Sequence, residues 1–194
     1  MKTVKDKYVV VGADFAGYSL KEAVVTELKR KGWKVEDLGV KTPEEADLPE
    51  NMFHRVGIRV ATQISEGIYE RALIFCGTGM GIHLAASKCP HVHVAVCESV
   101  PSALRCVCGN NCNILSMGGL YVAPQMGIEM AEAFLEHDLG DGYEWWENFY
   151  EFHKLAYDEL EAFDYEEYKK NGFQMKILGD YPLESKFNDR PKDK

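Results

Sequence analysis

With 194 residues the chain is long enough for one full domain and an appendage, and too short for two catalytic domains. Hydrophobic residues at 46% and charged residues at 27% exclude disorder as a description of the whole. The net charge of −9, from 22 Lys and Arg against 31 Asp and Glu, argues against a nucleic-acid binder.

Tyr8 to Gly12 is a short β-branched run closed by glycine and reads as a buried strand. A helical pattern follows Gly17, with Leu20, Val24 and Leu28 on one face, and stops at Gly32. Trp33 to Leu38 reads as a second strand, and Thr42 to Pro49 as an acidic loop. A helix is expected from Glu50 to Ser65 and a third strand from Arg71 to Cys76, running into Gly77-Thr-Gly-Met-Gly81. A helix to Lys88, a strand Val92 to Cys97, a short helix Ser102 to Cys108, a strand Asn113 to Met117 and a helix from Pro124 to His137 complete the body. Strands alternating with helices imply βαβ units. The expected fold is α/β: a three-layer Rossmann-like arrangement with a five-stranded parallel sheet, spanning residues 1–140.

Residues 141–194 form an acidic, aromatic-rich extension, holding 13 of the 22 Phe, Tyr and Trp and −6 of the net charge. From Gly142 to Asn171-Gly172 the pattern is that of a helix, and Ser185 to Lys194 reads as a frayed end. No signal peptide or membrane-length apolar run is visible, so a cytoplasmic location is expected. Five of six cysteines (Cys89, Cys97, Cys106, Cys108 and Cys112) fall within 24 residues. Their spacing lacks paired CxxC knuckles, and free thiols are expected over zinc or disulfides.

In parallel α/β folds ligands sit at the carboxyl ends of the strands. Cys76 to Gly81 stands there, after a strand and before a helix. Its three glycines leave amides open as an anion or oxyanion cradle, and the cysteine at the strand tip sits in a setting that favours thiolate. It is neither a P-loop nor a dinucleotide fingerprint. A thiolate beside such a cradle suits proton abstraction next to a carbonyl. A tight turn after a buried strand end explains the same residues without chemistry. Asp14 is either a helix cap or a sugar-hydroxyl ligand, and Asn110, Asn111 and Asn113 are either turn residues or hydroxyl ligands. His83 is read as structural or surface, His91 and His93 as solvated residues flanking a strand start, and His54 and His153 as helix residues that nothing in the sequence pairs.

Together Gly12-Ala-Asp-Phe-Ala-Gly-Tyr-Ser-Leu-Lys21, Asp47-Leu-Pro49, Cys76-Gly-Thr-Gly-Met-Gly81 with Ala85-Ala-Ser-Lys88, and Asn110 to Leu115 resemble ribose-5-phosphate isomerase B and the galactose-6-phosphate isomerase subunits. The resemblance covers residues 8–140. It implies aldose–ketose isomerisation through an enediolate, without metal or cofactor, in a homodimer or higher homo-oligomer with active sites between subunits. By position Cys76 matches the family's base, and Thr78 with the amides of Gly77, Gly79, Met80 and Gly81 its enediolate-stabilising loop. Asp14, Phe15 and Asn110 fall at substrate-binding positions.

The departures are specific. Phe15, Gly109 and Leu120 stand where the family has His, the ring-opening His and Arg, and Leu48 replaces a Tyr. No Arg occurs between Arg105 and Arg190. A phosphate dianion calls for charge-assisted donors, commonly Arg, and acids and indoles stand there instead. The expected substrate is therefore an unphosphorylated or unusual sugar, mostly open-chain, such as a tetrose, and not ribose 5-phosphate. Leu48, Tyr143, Trp145 and Trp146 are expected to line its pocket. The alternatives are a non-catalytic sugar-binding protein and a subunit completed by a partner.

Overall fold

The computed structural model describes residues 1–181, so the tail expected to fray, Ser185 to Lys194, lies outside the described residues. The chain divides into two compact units, Met1–Asp138 and the remainder from Leu139. In the first, strands β1 (Tyr8–Ala13), β2 (Lys34–Asp37), β3 (Ala72–Cys76), β4 (Val94–Val96) and β5 (Ile114–Gly118) alternate with helices α1 (Tyr18–Arg30), α2 (Phe53–Ser65), α3 (Met80–Ala86), α4 (Val100–Cys108) and α5 (Pro124–Leu135). Every pairing is parallel, in the order β2-β1-β3-β5-β4. This is the expected three-layer α/β fold with its five-stranded parallel sheet.

The three central strands are buried on both faces, as a sheet covered by helices on each side requires. Along β3 the side chains alternate: Ala72, Ile74 and Cys76 join Val56, Val60 and Ile64 of α2 and Ile82 and Ala86 of α3 in one cluster. Burying each such Val or Ile contributes about 1.5–3 kcal/mol. Helices α1 and α5 pack together elsewhere, closely enough that a Cβ on Gly127 would lie 2.7 Å from Leu20.

Two buried cations hold the frame. Lys21, without solvent exposure, binds Asp37 at 2.5 Å and the carbonyl of Val40, tying α1 to the end of β2. Arg71 donates to the carbonyls of Phe134 (2.7 Å) and His137 (2.6 Å) and to the Asp138 carboxylate (2.7 Å). A guanidinium there satisfies carbonyls that the end of α5 leaves open.

The helix expected from Glu50 starts at Phe53, after a 3-10 turn at Pro49–Asn51. Helix α4 starts earlier than expected, at Val100, because Ser99 and Ser102 form a reciprocal capping pair.

In the second unit the expected single helix is two, α6 (Phe149–Glu161) and α7 (Tyr165–Lys170). Asp164 breaks it: its carboxylate accepts from the Glu167 amide at 2.8 Å and caps α7. The Glu159 carboxylate fastens the returning chain, accepting from the Leu178 amide (3.0 Å) and the Tyr181 hydroxyl (2.7 Å).

Candidate active site

The strand order locates the site. From β1 the chain goes to β2 on one side and to β3 on the other, so the crevice between the carboxyl ends of β1 and β3 is the topological switch point. Asp14 follows β1 directly, and Cys76 is the last residue of β3.

Glycines let three loops meet there. A Cβ on Gly17 would stand 2.5 Å from the Phe75 carbonyl carbon and 2.7 Å from the Cys76 nitrogen. One on Gly119 would stand 2.5 Å from the Ala16 carbonyl oxygen. The loop after β5 is bonded to the one after β3 by Gly119 N–H to Cys76 O and Leu120 N–H to Gly77 O, both 2.9 Å. The Ser116 hydroxyl, buried, donates to Gly79 O at 2.6 Å.

Gly79 has φ +74°, a left-handed conformation natural to glycine. That turn aims its N–H at the Cys76 sulfur, 3.1 Å away. The Met80 N–H donates to Thr78 Oγ1 at 3.2 Å. The amides of Gly77, Thr78 and Gly81 have no acceptor among the described residues. Thus the expected cradle is narrower than its glycines suggest: the Gly79 amide serves the sulfur. A buried thiol with an N–H aimed at it, beside open amides, can take a proton from carbon while the neighbouring oxygen becomes anionic.

Asp14 caps the 3-10 turn Phe15–Gly17, its Oδ1 accepting from the Gly17 amide at 2.9 Å. Burial raises its carboxyl above the usual carboxylate range, against the lowering effect of the Gly17 and Ala16 amides. The rim is apolar: Phe15 is 64% exposed, Met80 52% and Leu120 72%. Leu48 is exposed on the loop before α2, next to the 3-10 turn it precedes.

Asn110 does not gather with Cys76 within one subunit. Asn110 follows α4 and precedes β5, and β5 starts level with Ala72, at the amino end of β3. The length of a five-residue strand, about 13–16 Å, separates that edge from Cys76. Tyr143, Trp145 and Trp146 engage one another and their neighbours within the second unit. Tyr143 stacks on Phe149 at 4.2 Å between ring centres, and Trp146 meets Phe149 and Phe152 at 5.4 Å.

Two residues at the site escaped the sequence reading. The Phe53 ring lies against Gly81, where a Cβ would be 3.0 Å from it. Tyr121 lays its ring over Gly118, 2.7 Å from where a Cβ would be, and its hydroxyl donates to the Thr78 carbonyl. Desolvation, with the charges of Glu98 and Cys76, raises its phenol above the usual range.

The clustered cysteines lie elsewhere in their interactions. The Cys106 thiol links to those of Cys97 and Cys112, and hydrogen bonds from Cys106 and then Ser102 lower Cys97 to about 7 against the opposing effect of burial. All six cysteines are free thiols, and no group of three metal-ligating side chains occurs among the described residues. No helix among those residues is long and apolar enough to cross a membrane.

Comparison with known proteins agrees with this geometry. The model of the Ribose/Galactose Isomerase family matches residues 9–145. A 4-deoxy-4-sulfo-D-erythrose isomerase from a Clostridium species is 39% identical over 162 residues, 84% of this chain and 98% of that protein. D-erythrulose-4-phosphate isomerase 2 of Mycolicibacterium smegmatis is 33% identical over 134 residues, 68% of this chain and 83% of that one. The solved ribose-5-phosphate isomerase B of Clostridium thermocellum superposes with a TM-score of 0.68 at 27% identity, covering 84% of this chain and 99% of that structure. The chain belongs to the ribose/galactose isomerase family, and it is an aldose–ketose isomerase.

Proposed function

We propose that the chain interconverts a four-carbon aldose and its ketose, using Cys76 as the base, and that the substrate carries a terminal sulfonate in place of phosphate. The Cys76 thiolate removes the proton from C2 of the open-chain aldose, and the electron pair forms the C1–C2 double bond. The C1 oxygen takes up the negative charge beside the amides of Gly77, Thr78 and Gly81. The O2 proton passes to O1, and the cysteine returns its proton to C1, giving the ketose with all atoms and electrons conserved. Asp14 holds a hydroxyl with the carboxylate oxygen not engaged by Gly17, and the Thr78 hydroxyl remains free to donate.

One observation carries the base: the sulfur at the tip of β3 accepts the Gly79 amide beside amides without a protein acceptor. For the substrate, the support is chemical. Sulfonate carries one charge where phosphate carries nearly two, so it tolerates the absence of Arg between Arg105 and Arg190. A tetrose whose C4 carries a sulfonate has no hydroxyl left to close a furanose ring, which suits Gly109 in place of the ring-opening His. The match across nearly the whole of a sulfoerythrose isomerase points the same way. Asn110, on the opposite edge of the sheet, reaches the sugar only from a second copy, so the active form is a homo-oligomer.

The test offers the protein 4-deoxy-4-sulfo-erythrose, erythrose 4-phosphate, ribose 5-phosphate and free erythrose in D2O and follows deuterium at C2. The sulfo-sugar should exchange fastest. A higher kcat/KM on either phosphate would overturn the sulfonate assignment.

A further inference from the structure

The Thr78–Gly79 peptide is bonded at both ends. Its carbonyl accepts the Tyr121 hydroxyl, and its N–H donates to the Cys76 sulfur at 3.1 Å. The bond is trans, as is every peptide bond described, so the two groups point in opposite directions across one rigid plane. Whatever holds the carbonyl therefore aims the N–H. A hydrogen bond to a carbonyl also polarises the amide it belongs to, strengthening the next bond in the chain.

We propose that Tyr121 is a positioning residue for Cys76: through the Thr78–Gly79 peptide it aims and strengthens the N–H that stabilises the thiolate. This rests on Cys76 being the base. The surroundings are built for the contact. Gly118 leaves room for the ring, and the positive φ of Gly79 presents the Thr78 carbonyl to the hydroxyl. Tyr121 lies 43 positions from Thr78 in sequence, so the bond ties the loop after β5 to the one after β3. Tyr121 is 44% exposed, and its hydroxyl is committed to the carbonyl, which places it beside the chemistry without requiring it to touch the sugar.

Other ionisable groups stand on the elements around Cys76. Asp14 lies beyond β1, Glu98 beyond β4, His83 on α3, and Arg59 on α2, while Lys21 on α1 is engaged by Asp37. None of them is bonded to the Thr78–Gly79 peptide among the described residues.

The experiment titrates the Cys76 thiolate by its ultraviolet absorbance, taken as the difference between each protein and its Cys76→Ser counterpart, for wild type and Tyr121→Phe. The phenylalanine keeps the ring over Gly118 and removes only the hydroxyl. The titration should move to higher pH by about half to one unit, a threefold to tenfold loss of thiolate on its acid side. The acid limb of kcat/KM should move by the same amount, with KM little changed. 3-Fluorotyrosine at position 121, a stronger donor, should move both the other way, and it tests the idea if the phenylalanine variant folds poorly. An unmoved titration in both proteins, or a raised KM at unchanged kcat, would overturn the proposal. If Cys76 is not the base, isomerase activity will survive Cys76→Ala. The absorbance titration then still reports the peptide clamp, so the two failures are distinguishable.

Discussion

Replacing Gly17 by alanine tests whether the first loop lies on the cradle. The added Cβ would fall 2.5 Å from the Phe75 carbonyl carbon and 2.7 Å from both the Cys76 nitrogen and the Phe75 Cβ. Ordinary carbon contacts begin near 3.5 Å, so the overlap is about 0.8–1 Å. Two of the three atoms are backbone of a central strand hydrogen-bonded on both sides, so they cannot yield. The loop must move instead, and it carries Asp14, whose carboxylate is anchored on the Gly17 amide. Overpacking of this kind costs about 1–3 kcal/mol, which for a chain of this size lowers Tm by roughly 2–12 °C. A displacement near 1 Å in a residue that orients substrate lowers kcat/KM by about 10- to 100-fold. Gly32→Ala is the contrast. Gly32 has φ +87° and open space around it, so alanine there costs about 1–2 kcal/mol of backbone strain and no activity. Thermal unfolding and isomerase kinetics on both proteins decide the matter. A Gly17→Ala protein with wild-type Tm and kcat/KM would refute the placement of the loop.

Three further changes probe the frame and the site. Arg71→Met leaves the carbonyls of Phe134 and His137 and the Asp138 carboxylate without their shared donor, and should lower stability by about 3 kcal/mol in denaturant titration; a change below about 1 kcal/mol, the range of an exposed ion pair, would contradict the assigned role. Lys21→Met strands the mostly buried Asp37 carboxylate and should cost about 3–5 kcal/mol, with Lys21→Met/Asp37→Asn recovering part of the loss; no recovery would show that packing, not charge, holds this corner. Asp14 carries a carboxyl raised by burial, so the native state holds its proton more tightly than the unfolded chain does. The stability this provides is present in acid and lost as pH rises through the raised value. Asp14→Asn keeps an oxygen for the Gly17 amide and should therefore gain Tm over wild type more at neutral pH than at about pH 3.5, while losing kcat/KM. Equal Tm differences at both pH values would contradict the burial of the charge.

Much of the body was legible because its signals are local. Val9, Val10 and Val11 before Gly12, and Leu73 to Phe75 before Cys76, are apolar runs closed within one residue of where the strands end, at Ala13 and Cys76. The alternation of strand and helix then puts both endings on one edge of the sheet. What escaped depends on contacts between distant residues or on backbone direction. The reach of Tyr121 to Thr78 across 43 positions leaves no trace in spacing. That the Gly79 amide faces the sulfur follows from a positive φ, which a glycine permits without announcing. Two signals were present and outweighed. Asp164 stands three residues before Glu167, a capping pattern, yet the aromatic and acidic run around it reads as one helix. The edge that Asn110 occupies follows from topology alone, since a helix returning to a parallel strand reaches its amino end.

In the proposed reaction Cys76 moves a proton at C2 of a short sulfonated sugar. The most direct measurement is deuterium incorporation at C2 of 4-deoxy-4-sulfo-erythrose in D2O, for wild type and Cys76→Ala. The wild type should show exchange and ketose formation, and the variant neither above background. Exchange that survives in Cys76→Ala would contradict the role of Cys76 as the base.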